Sequence, residues 1–357
     1  MLNKVRICGF KSIKDCVVDL KKINILIGPN GSGKSNFISA LSLLQKISDG
    51  DLQKTVGKAG VGSVLYNGPK TTREIQMEFS FEQMSYCFNL RLNESGSNLV
   101  FYNEYYNKRD QRHDLELMPD RYESGCCSNI SAYLKQDLNP MLEAKKWRVY
   151  HFHDTTSTAG MKQVGMMSDT VSLHQDASNL APFLYMLRQA QPDSYKNILM
   201  TIRLVAPFFE DFVLEPNAEN KDLIILRWKQ EGTDAVYGAN QLSDGLLRFI
   251  CLTVLLLQPS DLQPSVILIE EPELGLHPHA LKLLAEIVYV ASEKKQIVIS
   301  TQSADLLDEF GKEDVIVTEM TEDGSEFERL SKYNLENWLD DYSLGTIWKK
   351  NIFGGNP

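Results

Sequence analysis

A chain of 357 residues with 43% hydrophobic content is long enough for one large core or two smaller ones, and it lacks the low-hydrophobicity signature of disorder. Its formal net charge of −10 argues against a global attraction for nucleic acid or an anionic membrane, although a local basic patch survives inside an acidic total. No stretch reaches the roughly 18–20 consecutive apolar residues of a membrane-spanning helix, and Met1-Leu2-Asn3-Lys4-Val5-Arg6 lacks the apolar core of a signal peptide, so the sequence reads as soluble and cytoplasmic.

In chain order, Val5 and Ile7 alternating with Arg6 and Cys8, then Val17-Val18-Asp19-Leu20, predict two short strands, and Ile23-Asn24-Ile25-Leu26-Ile27 predicts a buried one. That strand runs into the glycine-rich "GPNGSGKSN", after which Phe37, Leu41 and Leu44 take helical spacing. Residues 73–106 alternate as a strand-rich meander, with "NESGSN" as a turn. Residues 178–212 turn helical in two stretches, each ending near a proline. After the apolar run "LIILRW", "NQLSDGLLRFICLTVLLLQP" reads as a loop entering a mostly buried helix. The apolar Val266–Ile269, a helix near 280–292 and the core strand "QIVIST" follow.

No heptads, repeats or linkers interrupt this order, so the expectation is a discontinuous α/β core over 1–155 and 240–330. It would carry a β subdomain near 60–110, an inserted helical lobe over 156–239 and an apolar tail over 331–357. The cysteines Cys8, Cys16, Cys87, Cys126, Cys127 and Cys251 form no CxxC pair, and adjacent Cys126-Cys127 suit a disulfide poorly, so buried reduced thiols are expected.

Gly28 to Ser35 fill every fixed position of GxxxxGK[ST] between a predicted strand and a predicted helix. Glycines let the backbone turn its amide hydrogens toward phosphate oxygens, Lys34 reaches the outer phosphates, and the Ser35 hydroxyl ligates Mg2+. Asn30, Gly31, Ser32, Gly33, Lys34, Ser35 and Asn36 are therefore the candidate ATP-binding residues. Hydrolysis also needs carboxylates for the metal's water shell and for the attacking water. Glu270 and Glu271 end an apolar strand where such groups converge, so Glu270 is assigned to Mg2+ through water and Glu271 to the water as base or orienting group. In isolation the pair would be an ordinary solvated strand end. Ser243 and Gly245 precede a helix as capping residues do, and the same arrangement is an anion site.

Walker A "GPNGSGKS", "LSDG" about 25 residues before "VILIEE", and "VISTQS" together resemble the ABC-type ATPase head. "VRICGFKSIKD" and "EEPELGLHP" resemble its SMC/RecF-like branch, and "WRVYHFHDTT", "NLAPFLYMLR" and "APFFEDFVLEP" resemble a bacterial AAA-type subgroup related to OLD-family ATPase domains. The resemblance implies a P-loop NTPase head with a mixed sheet core and a homodimer with two ATPs sandwiched, open to higher assembly. In it Ser243 and Gly245 contact the γ-phosphate held by the partner's Lys34, and Gln302 occupies the switch position. Gln302 in place of histidine, Glu270 in place of aspartate and Leu246 in place of glutamine leave ATP binding intact and put the turnover rate in question. It also places "HFHD" near the nucleotide, with His153 or Asp154 a candidate to touch Mg2+ or the attacking water. A transition-metal reading of His151 and His153 lacks a closed ligand set. His277 and His279 read as dimer-facing loop residues.

The absence of heptads removes a long coiled-coil arm, and the roughly 55 residues after Gln302 are too few for a Toprim nuclease of the OLD kind. The tail, with Trp338, Leu339, Tyr342, Leu344, Ile347 and Trp348, is too apolar for a disordered end. It resembles tails of ATPases encoded beside a separate effector, many in anti-phage defence; the plainer alternative is a tail docked on its own core. The second function is a RecF-like DNA-repair binder, with Lys145, Lys146, Arg148, Lys11 and Arg6 lining a path for DNA or else forming a solvated face. A transporter ATPase subunit is disfavoured by the SMC-like motifs.

Overall fold

The computed structural model describes residues 1–109, 111–115, 121–125 and 144–355, so Cys126 and Cys127 lie outside the described residues. The chain forms two compact units, one of Met1–Arg148 with Val298–Pro357 and one of Val149–Ile297. The first unit opens with a hairpin of β1 (Leu2–Phe10) and β2 (Ile13–Asp19), whose turn carries Lys11 at a left-handed φ of +48°. Val5 and Ile7 point inward along β1 and are fully buried, as period-2 alternation requires. β3 (Ile23–Ile27) buries all its residues, the mark of a strand covered on both faces.

Helix α1 (Lys34–Asp49) follows, burying Phe37, Leu41 and Leu44, and Gly50 ends it in the left-handed conformation. After the short helices α2 (Leu52–Ala59) and α3 (Val61–Val64) come β4 (Glu74–Phe81), β5 (Met84–Leu92), β6 (Leu99–Lys108) and β7 (Gln111–Asp114). The expected meander thus forms, and it extends the opening hairpin into one antiparallel sheet of order β2-β1-β4-β5-β6-β7. Phe79, Phe88 and Phe101 fill its inner face, the last two edge to face at 5.8 Å.

The second unit takes over within β8 (Arg148–Tyr150). β9 (Gly165–Met166) pairs with β11 (Leu223–Ile224), and between them lie α4 (Leu180–Ala190), α5 (Pro192–Val205) and β10 (Phe209–Val213). β10, β12 (Arg227–Gln230) and β13 (Val236–Gly238) make a small antiparallel sheet in which Phe209 stacks on Trp228 at 5.5 Å. The segment expected as a helical lobe is therefore helix and sheet together.

Helix α6 (Asp244–Leu257), β14 (Val266–Glu270) and α7 (Pro278–Ser292) complete this unit. Phe249 of α6 packs with Ala280 and Leu283 of α7, and Val205 and Leu276 cover them. That packing joins α6 and α7 to the inserted segment within the unit Val149–Ile297.

The second division falls inside β15 (Gln296–Thr301). Back in the first unit, after the short helix α8 (Ala304–Leu307), β16 (Val315–Thr321) lies parallel to β3, with Val315 opposite Ile25 and Val317 opposite Ile27, and β17 (Gly324–Arg329) returns antiparallel. The Arg329 guanidinium donates to the carbonyl of Asp19, to that of Glu313 and to Asn24 Oδ1, pinning β17 to the ends of β2 and β3.

The tail holds α9 (Glu336–Leu339) and α10 (Leu344–Lys349) and docks on its own unit. Leu344, Ile347, Trp348 and Phe353 are buried, Gly345 N–H donates to Asp308 Oδ1 at 2.5 Å, and Trp348 Nε1 donates to the Gly355 carbonyl at 2.6 Å. A Cβ at Gly345 would stand 2.3 Å from the Ala304 carbonyl oxygen, which only glycine permits.

Cys16, Cys87 and Cys251 are buried free thiols; burial pushes Cys87 up to about 11 and Cys16 up to about 12. Among the described residues no helix is long and apolar enough to cross a membrane. Trp348→Ala removes a buried indole and its hydrogen bond. It is expected to lower the unfolding free energy by about 3 kcal/mol, read from urea unfolding; an unchanged midpoint would show that this docking contributes nothing.

Candidate active site

The phosphate loop leaves β3 through Gly28, whose missing side chain is dictated by packing: a Cβ there would lie 2.2 Å from the Thr318 carbonyl oxygen. Gly31 and Gly33 take φ of +80° and +110°, conformations that favour glycine, and a Cβ on Gly33 would sit 2.1 Å from Ser325 Oγ. Gly33 is also the N-cap of α1 and supplies no side-chain acceptor to the first-turn amides. Those amides and the positive end of the helix dipole suit an anion.

Lys34, 7% exposed, donates Nζ–H to the carbonyls of Gly28 at 2.6 Å and Pro29 at 2.9 Å, which holds its charge over the loop. Asn30 and Ser35 are exposed, while Ser32 is buried with an Oγ that has no hydrogen-bond partner among the described residues. Asn36 is bound differently from the others: its Nδ2 donates to Ser12 Oγ at 2.6 Å, and Ser12 Oγ lies 2.7 Å from Ser325 Oγ. This trio ties α1 to the β1–β2 turn and to β17. Gln302, half-buried, follows the end of β15, just before Ser303 caps α8.

In the second unit, β14 emerges from four buried apolar residues into Glu270 and Glu271. Residues 151 and 153 share one face of an extended segment, so both rings meet Glu270. His151 Nδ1 is 3.0 Å from its Oε2, and His153 Nε2 is 3.0 Å from its carbonyl oxygen. Glu271 adopts φ +45°, a left-handed conformation that costs a non-glycine residue about 1–3 kcal/mol and collects at functional sites.

Asp154 lies at the surface, where its Oδ1 accepts from the Thr156 hydroxyl and amide; these bonds hold its carboxyl below the usual range. Among the described residues no group of three or more His, Cys, Asp or Glu forms a metal cluster. Ser35 and Glu270 supply the hydroxyl and carboxylate types that Mg2+ takes beside nucleotide oxygens and water, each in its own unit.

The "LSDG" stretch starts α6. Ser243 Oγ accepts from the Leu246 amide at 3.3 Å, and Ser243 itself is exposed. Gly245 lies against the turn that follows the glutamates, where a Cβ would stand 2.1 Å from the Gly275 carbonyl oxygen. The turn leads to α7, which His277 caps and whose His279 Nε2 lies 3.2 Å from the Leu204 carbonyl oxygen.

The sequence reading missed Arg248. Its Nε donates to the Phe152 carbonyl at 3.1 Å, Nη1 to Leu274 at 3.1 Å, and Nη2 to the His153 carbonyl at 2.9 Å and to Thr155 Oγ1 at 3.3 Å. A hollow of about 10 Å³, room for about one water, lies among Arg248, Glu270 and Glu271. The available signal was a lone cation inside the apolar run of α6, where a guanidinium needs several acceptors.

The fold and the loop together define a P-loop ATPase head of mixed α/β architecture. The family model described as "AAA domain, putative AbiEii toxin, Type IV TA system" matches residues 23–308, and the chain belongs to that family. No curated protein matches. Among solved structures, an SMC head bound to the C-winged helix domain of ScpA has TM-score 0.62 at 16% identity, over 91% of this chain and 97% of that one.

An SMC head with an extended coiled coil bound to the C-terminal domain of ScpA, derived from Pyrococcus furiosus, gives 0.57 at 14% over 95% and 98%. The SMC head domain from Thermotoga maritima gives 0.52 at 14% over 91% and 97%. These identities speak to the fold. Gly245→Ala would force α6 off the Gly275 turn; the expected cost is about 1–3 kcal/mol by urea unfolding, and wild-type stability would refute the contact.

Proposed function

We propose that the chain binds ATP with Mg2+, hydrolyses it, and dimerises around two nucleotides as a switch that controls a separate effector, a nuclease, in bacterial anti-phage defence. The observation that carries the reading is the loop at α1, whose N-cap is a left-handed glycine and whose lysine lies over it. Asn30, Gly31, Ser32, Gly33 and Lys34 would cradle the phosphates and Ser35 with Glu270 would hold Mg2+, the second through water. Glu271 would position or deprotonate the attacking water; its strained backbone supports that role. Ser243 and Gly245 would face the γ-phosphate bound by the partner's Lys34, with Gln302 as the switch residue hydrogen-bonding that phosphate.

The defence role rests on the family's description as a putative AbiEii toxin domain. With α10 docked, the face left for an effector is the exposed Trp338, Leu339 and Tyr342. The chain would work in the cytoplasm, away from the membrane. A RecF-like DNA path has weaker support, because three of its five basic side chains, those of Arg6, Lys11 and Arg148, are engaged within the chain. Arg6 pairs with Asp15 at 3.2 Å, Lys11 donates to Ser39 Oγ at 2.9 Å, and Arg148 donates to the Trp147 carbonyl at 2.8 Å.

Glu271→Gln is expected to keep ATP affinity, to lower kcat by about 10²–10⁴-fold, and to accumulate a dimer in size-exclusion chromatography with ATP. Normal turnover in that variant ends the assignment. Lys34→Ala should lose nucleotide binding, and chelation of Mg2+ should stop hydrolysis in the wild type. A Ser243→Arg chain mixed with a Lys34→Ala chain keeps at most one composite site of the two, so full activity in the mixture rules out the sandwich.

A further inference from the structure

We propose that Arg248 is a positioning residue: from the signature helix it fixes the peptide groups on either side of His153, in the short segment that also carries His151, and through the two imidazoles the Walker B residue Glu270. The inference rests on the reading of Glu270 as the metal-side carboxylate. Glu270 carries one methylene more than the aspartate usual in ABC-type heads, so its carboxylate has an extra rotatable bond to be held. His151 holds that carboxylate and His153 holds the backbone beneath it. Neither imidazole is anchored by its own helix or long strand, because the segment follows the three-residue β8.

The anchor is the guanidinium of Arg248, whose bonds to the carbonyls of Phe152 and His153 fix the peptide groups on either side of His153. Its third nitrogen, Nη1, reaches the Leu274 carbonyl in the turn after the glutamates. A planar cation with donors on three nitrogens spans these acceptors at once, and the compact ammonium of a lysine does not. At the turn a Cβ on Gly275 would stand 2.7 Å from Nη1, and the glycine's φ of +72° is itself one that side chains rarely adopt.

Ser243 caps the helix that bears Arg248. A displacement of α6 at its N-terminus is therefore carried by the arginine to the two carbonyls and delivered at Glu270. A nucleotide engaged at Ser243 and the carboxylate of the same chain would be coupled through this one hydrogen-bonded guanidinium.

The test uses the full chain with Arg248→Ala, Arg248→Lys, His151→Ala and the Arg248→Ala/His151→Ala double variant. Mn2+ affinity is measured in the presence of a non-hydrolysable ATP analogue. Each single change is expected to weaken Mn2+ binding about tenfold, with Arg248→Lys no better than Arg248→Ala. The double variant is expected to be no weaker than the poorer single, because the two residues act in series. Multiplying effects, or wild-type affinity in Arg248→Lys, overturn the proposal.

A second measurement stands apart from nucleotide chemistry. In Arg248→Lys without ligand, the imidazole resonances of His151 and His153 should shift while that of His113, on β7 of the first unit, stays. If they do not shift, the positioning role is overturned even where Arg248→Ala fails to fold. If they shift in a chain whose wild type neither binds nor hydrolyses ATP, the ATPase reading fails and the positioning role remains.

Discussion

A backbone that offers its amide hydrogens to an anion must be bare of side chains on the side the anion approaches and tightly supported on the other. Both demands meet in the phosphate loop of the first unit. Gly28 presses on the Thr318 carbonyl and Gly33 on Ser325, so the rear of the loop is walled by β16 and β17. Gly31, by contrast, faces open space. Two of these glycines are thus set by contact and one by its dihedral, and together they leave the start of α1 uncapped. The parallel pairing of β3 with β16 and the Arg329 staple serve that same arrangement.

The second unit solves a different problem, which is to hold an acidic group at the end of an apolar strand. A carboxylate leaving a strand of four buried residues has no hydrophobic reason to stay in one place. Hydrogen bonds do that work here, from His151 to the side chain and His153 to the backbone of Glu270, with Arg248 behind them. The left-handed Glu271 then turns the chain sharply into a loop whose Gly275 must lie against α6.

The sequence made some of this legible. The glycine spacing, Lys34 and the buried strand before them are local, and local signals survive in a linear text. The meander of β4 to β6 was readable for the same reason, since alternation in residues 73–106 is strong. What escaped depends on distant partners. β10, β12 and β13 run for three to five residues each, too short for a period to declare itself, and the Phe209–Trp228 stack between β10 and β12 is a contact across the sheet. Asn36 reads among the ATP-binding residues, yet its amide is tied to Ser12 and so to β17. Arg248 was hidden because its acceptors are main-chain carbonyls, which carry no residue signature. The tail's apolar character was plain, but its packing on its own unit became visible only with Gly345 donating to Asp308 beneath the buried Ile347 and Trp348.

The bond between Ser12 and Ser325 joins residues 313 positions apart, and the wall behind the phosphate loop is made of the same late strands. The loop leaves the ribosome roughly three hundred residues ahead of its support. Contacts this remote in sequence form slowly and only after their far partner exists. During synthesis the nascent chain therefore carries an unbacked loop until residues 318–325 have emerged, and competence to take up a nucleotide waits for them.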